Sequence, residues 1–168
     1  MTMNAKLIAI LPAAILVIGA SPPLERFSLE AGMAVVSHAS EPLNEGGSAT
    51  HYKLQGAGSL RGPSNRHYGA MTCIGTMVVS TNGLTSSDTA ECRWGEADGD
   101  TITWRYIAEP GAPGPGFQHA RLEVVAGTGK WRGLAGALAS DVMFKPRVPD
   151  APAIFTVATG ELTKGERP

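Results

Sequence analysis

Glycine and proline interrupt this chain so often that no window of helical length keeps an apolar stripe at positions i, i+3, i+4 and i+7. The 21 Gly and 12 Pro make up about a fifth of the 168 residues, above average usage but below the roughly 25–30% of low-complexity disorder. From His51 onward, short apolar or alternating runs recur about every 10–15 residues, separated by Gly, Asn, Asp and Pro. A chain punctuated in this way folds as a β-sandwich or barrel with little helix.

The runs place the strands. They are His51 to Leu60, bent or bulged at Gly56 and Gly58, Met71 to Ser80 before an Asn82-Gly83 turn, and Thr89 to Gly95. After Asp98-Gly99-Asp100 comes Thr101 to Ile107, where Ile102, Trp104 and Tyr106 alternate with Thr101, Thr103 and Arg105, the period of a half-buried strand. A Pro/Gly loop over 110–116 precedes Gln118 to Ala126. Leu138 to Lys145 follows, and a second Pro-rich break, Pro146 to Pro152, leads into Ala153 to Leu162. Residues 21–48, with an apolar patch from Met33 to Val36 and no sustained period, read as an N-terminal extension holding one strand at most. The set, about seven or eight strands in hairpin-compatible order, predicts an all-β, antiparallel closed eight-stranded barrel formed by residues 49–168.

Residues 1–20 are of a different character. One charged side chain, Lys6, precedes an apolar stretch from Leu7 to Ile18 and the small pair Gly19-Ala20. That order is the order of a secretory signal peptide cleaved near Ala20. The competing readings are an uncleaved anchor and a buried helix, but the stretch is shorter than the roughly 17–25 residues of a membrane-spanning helix. No stable membrane span is expected after cleavage, and the compartment implied is secreted or periplasmic. Cys73 and Cys92 fit an oxidising compartment as a disulfide closing a loop of roughly 20 residues, for a gain of about 3 kcal/mol. Two independent buried thiols are the alternative. A four-ligand zinc site is ruled out by two Cys without Cys-x-x-Cys spacing and by the scatter of His38, His51, His67 and His119. With 14 Lys+Arg against 15 Asp+Glu and no basic run, the chain lacks the electrostatic footprint of a nucleic-acid binder.

The most distinctive passage is Gly127-Thr128-Gly129-Lys130-Trp131-Arg132-Gly133-Leu134-Ala135-Gly136. A phosphate loop needs Gly-Lys-Ser/Thr opening a helix, and here Trp131 follows Lys130. The passage reads instead as a sharp turn built on Gly127 and Gly129, with Trp131 as an aromatic anchor and close backbone approaches at Gly133 and Gly136. It resembles the glycine-and-aromatic signature of the allene oxide cyclase and dirigent-type eight-stranded barrels. The run with Cys92, Asp98, Gly99, Asp100 and Trp104 resembles secreted bacterial relatives of that barrel. The resemblance spans roughly Ala49 to Leu162 and implies the fold. It does not imply the cyclase or radical-coupling activities of the plant proteins, which rest on pocket residues outside the motif.

Glu96 to Asp100 is acidic enough to suggest calcium, but the calcium-loop spacing runs into the strand that carries Trp104, so a hairpin turn is the expectation. His119, Arg121 and Glu123 project from one face of their strand. In the lumen they would form a proton-transfer site, with His119 or Glu123 as acid/base and Arg121 holding an anion. Facing solvent they would be a cross-strand charge set, the commoner arrangement in antiparallel sheets.

Three roles remain open. The leading one is non-catalytic binding of a small apolar ligand in the lumen, or of a partner at the barrel mouth, with no cofactor or metal. Ile102, Trp104, Tyr106, Leu122, Val124, Phe155 and Val157 would form the wall, unless they merely fill the barrel. The second is an isomerase or cyclase using the same lumen. The third is a structural or inhibitor-like interaction protein.

Overall fold

The computed structural model describes residues 23–111, 117–145 and 153–165. The expected leader, residues 112–116 of the first Pro-rich break and the whole of the second lie outside these residues. Eight strands form one closed barrel: β1 (Leu24–Pro42), β2 (Ser48–Arg61), β3 (Arg66–Val79), β4 (Thr85–Gly95), β5 (Thr101–Ala108), β6 (Phe117–Gly127), β7 (Leu134–Lys145) and β8 (Ala153–Lys164). Each pairs antiparallel with its chain neighbours, and β1 closes the ring on β8 from Leu24↔Thr163 to Ala34↔Ala153. Closure pairs both sides of β1 over that stretch, and beyond Ala34 it pairs with β2 alone.

The segment set apart above as an extension therefore supplies β1, at 19 residues the longest strand, paired on both sides as far as Ala34. Its alternation begins ahead of the Met33–Val36 patch and runs into it at Met33: Phe27, Leu29, Ala31 and Met33 are buried, while Ser28, Glu30 and Gly32 between them are not. Small residues at 31 and 32 weaken that pattern to the eye without changing its period. Register slips of one residue occur beside Val36 in β1, Ser86 in β4 and Val125 in β6. Such bulges increase local twist and help a sheet to close.

The barrel is packed at one end and hollow at the other. Trp94, Ile102, Trp104, Leu29, Leu60 and Leu162 are fully buried and fill the end where β4 turns into β5 and β6 into β7. The Gly127–Gly136 passage closes this end. A single 3-10 turn, Gly129–Trp131, folds the Trp131 indole, 3% exposed, edge-on to Trp94 at 5.8 Å between ring centroids. Gly127 leaves room for the Trp131 carbonyl, and Gly129, at φ +52°, lies against the Asp100 carboxylate. Gly133 and Gly136 also take positive φ. Glu96 holds the turn in place. It accepts the Trp131 indole N–H at 3.0 Å and lies 3.0 Å from His67 Nδ1 and 2.7 Å from Lys130 Nζ. Asp98 takes a second contact from Lys130 Nζ at 2.7 Å, and Asp100 accepts the Lys130 backbone N–H at 3.0 Å. The acidic run is thus a hairpin turn whose carboxylates are occupied by the barrel's own donors. Among the described residues no group of three or more His, Cys, Asp or Glu could hold a metal ion, and no helix is long and apolar enough to cross a membrane.

Candidate ligand cavity in the barrel

The hollow end encloses a cavity of about 360 Å³, within the usual range of small-molecule sites. Met33, Leu54, Met71, Leu122, Val142 and Ile154 are among the apolar residues of its wall, which also includes His38, Thr50 and Ala153. At roughly 30 Å³ per water, the space equals about a dozen waters.

The disulfide belongs to this wall. Cys73 on β3 and Cys92 on β4 face each other in register, 4.0 Å apart at Cα, and are bridged. Both are buried and border the cavity, with Cys73 Sγ 3.8 Å from Met33 Sδ. With Met71 and Met77, sulfur contributes an unusual share of the lining.

One carboxyl faces this apolar space. Asp88, only 4% exposed, lies on the inward face of β4 with Ala90, Cys92 and Trp94. The Tyr52 hydroxyl of β2 donates to Asp88 Oδ1 at 2.6 Å, reaching over β3 to do so. Gly75 makes that reach possible. It pairs with both Tyr52 and Ala90, and a Cβ there would fall 2.6 Å from the Tyr52 hydroxyl and from the Ala90 Cβ. Tyr106 of β5, 9% exposed, borders the cavity too, its hydroxyl 3.5 Å from Gln118 Oε1.

Burial raises the Asp88 carboxyl above the usual carboxylate range, and the hydrogen bonds from Tyr52 and Tyr106, which favour the ionised form, do not reverse this. Burial and then the Asp88 charge push both phenols well above their ordinary value, so they remain protonated donors. The arrangement can take a proton, give one, or pair with a cation inside an apolar enclosure. Deeper in the wall, Ser140 and Thr156 satisfy each other at 2.8 Å.

Of the expected wall, Tyr106 and Leu122 border the cavity. Ile102 and Trp104 are fully buried in the packed core, and Val124 is half-buried against it. Phe155 and Val157 need correction. They point out of the barrel, 44% and 52% exposed, while Ile154, Thr156 and Ala158 point in. The β8 run is apolar at both parities, and a shift of one residue exchanges the two faces. Phe155 instead covers Gly32 of β1 from outside.

His119, Arg121 and Glu123 lie outside the lumen, because Ala120 and Leu122 are the buried residues of β6. His119 Nδ1 is 2.7 Å from Asp141 Oδ1 and Arg121 Nε 3.4 Å from Glu123 Oε1, in a largely exposed set on the barrel's outer face. These three residues therefore form no proton-transfer site in the lumen. The lumen carboxyl is Asp88, which counting back in twos from Trp94 and Cys92 places inside.

Fold and site together define a closed, eight-stranded antiparallel barrel with a half-hollow lumen and one acidic group in it. No protein-family model matches the chain, and neither does any curated protein.

Proposed function

We propose that this protein binds a small, largely apolar molecule inside the hollow half of its barrel, without transforming it. The supporting observation is the 360 Å³ cavity, whose described wall is mostly aliphatic and sulfur-bearing side chains around one buried carboxyl. A barrel built only for structure would fill that volume with side chains, as its other end does. The glycine-and-Trp131 passage is consistent with kinship to the allene oxide cyclase and dirigent-type barrels. The 1–20 leader and the disulfide support secretion to an oxidising compartment, with a mature chain beginning near Ser21.

Native mass spectrometry of the protein from its host tests this reading. The expected result is a mature chain without residues 1–20, carrying a co-purifying apolar mass or taking up octanol, and Val142→Trp, which fills the cavity, abolishes uptake. A chain that takes up no apolar molecule, or a Val142→Trp variant that binds as before, refutes it.

The enclosed Asp88 favours a second reading, an isomerase or cyclase in which this carboxyl moves a proton on an apolar substrate. Release of a rearranged product from the co-purified molecule would distinguish it from simple binding.

A further inference from the structure

Resting on the binding reading above, we infer that the ligand is an amine: an apolar molecule whose protonated amino group pairs with Asp88. Among the described residues, the cavity wall contains one acidic side chain and no Lys or Arg. From β2 and β5 Asp88 is faced by Tyr52 and Tyr106, protonated phenols that donate hydrogen bonds but bring no positive charge. From β3 it is faced by Gly75 and Met77, and beyond Tyr106 on β6 lies uncharged Gln118. Among the described residues, His38 of β1 is the only other titratable side chain on the lining besides these phenols, and it is exposed.

An ionised carboxylate so enclosed lacks a countercharge, which is costly unless one is supplied. An ammonium supplies it and adds a charge-assisted hydrogen bond, about twice as strong as a neutral one. A ligand carboxylate would place a second negative charge beside the first. The apolar, thioether-rich wall suits the remainder of such a molecule, since methionine side chains adapt to irregular hydrocarbon shapes. The lumen thus selects by charge at one point and by fit elsewhere.

The test compares octylamine, octanol and octanoate, which share a hydrocarbon chain, by calorimetry on the whole protein. Octylamine is expected to bind about tenfold more tightly than octanol, with octanoate weakest. Asp88→Asn should abolish the preference, bringing octylamine to the level of octanol measured on the same variant. Should that variant not fold, the wild-type pH profile carries the same information. Octylamine affinity rises with pH as Asp88 ionises and falls only where the amine loses its proton, near pH ~10, whereas octanol shows no such rise. Octanoate binding as well as octylamine, an Asp88→Asn variant that keeps the amine preference, or a flat octylamine profile overturns the charge inference and leaves lumen binding intact. If none of the three binds, the lumen-binding reading falls, and this inference falls with it.

Discussion

Glu96 is the point at which the packed end of the barrel can be loosened most directly. Replacing it by Ala removes the acceptor of the Trp131 indole N–H and the partner of His67 and Lys130. Trp131 is buried, so its N–H loses its partner without gaining water, which costs about 1–3 kcal/mol. The Lys130 and His67 side chains, 30% and 22% exposed, reach solvent, and their loss adds about 0–1 kcal/mol each. The sum is about 1–5 kcal/mol, or a Tm lowered by roughly 2–20 °C for a domain of this size. Urea unfolding followed by tryptophan fluorescence measures it, with an unchanged slope expected because the surface exposed on unfolding is the same.

A cycle with Trp131→Phe isolates the indole contact. Glu96→Ala should cost about 1–2 kcal/mol less in the Trp131→Phe background than in the wild type. Acid gives an independent arm. Burial acts to raise the Glu96 carboxyl, but the hydrogen bonds from Lys130, Trp131 and His67 outweigh it and hold the group below its ordinary value. Its contribution is therefore fully present above the unfolded value near pH ~4.3 and is lost as pH falls through the lowered folded value. The wild-type and Glu96→Ala curves should draw closer in that interval, by the part of the cost that depends on the charge. Costs that add independently in the cycle, or a stability difference that does not shrink as pH falls through it, would refute the reasoning that Glu96 anchors the closing turn.

Two further outcomes follow from the cavity wall. Removing the disulfide by Cys73→Ala with Cys92→Ala should lower stability by about 3 kcal/mol for a loop of roughly 20 residues, read as the shift in urea midpoint. A shift corresponding to under about 1 kcal/mol would mean that hairpin pairing already restrains the unfolded chain. Gly75→Ala should destabilise by about 1–3 kcal/mol through overpacking and displace the Tyr52 hydroxyl from Asp88, visible as a lower apparent pKa for the Tyr52 phenol in ultraviolet titration. An unchanged Tm together with an unchanged phenol titration counts against the close approach of Tyr52 across β3.

Several elements of this architecture are legible in the sequence. β5 shows its faces in the right order because Ile102, Trp104 and Tyr106 alternate with polar residues, so only one parity buries apolar surface. The Cys73–Cys92 bridge follows from the pair's number and spacing. The closing turn shows itself in glycines around a lone tryptophan. β8 is not legible at the level of its faces, since Ile154, Phe155, Val157 and Ala158 offer apolar side chains to both sides. β1 is partly hidden by Ala31 and Gly32, although its period runs through Phe27, Leu29 and Met33.

By itself the sequence determined an antiparallel all-β ring, because frequent turns forbid long helices and alternation commits each strand to one buried face. That the ring is half hollow follows from how the strands meet in space. Volume inside a barrel depends on which inward side chains meet at the same height, and those residues are far apart in the chain. Trp94, Trp104 and Trp131 converge towards one end and fill it. Towards the other end Gly75 and Ala90 leave room, and there Tyr52 reaches across β3 to Asp88, whose inward side follows from the parity of Cys92 and Trp94 but whose place beside a cavity does not show in its neighbours Ser86, Ser87 and Thr89.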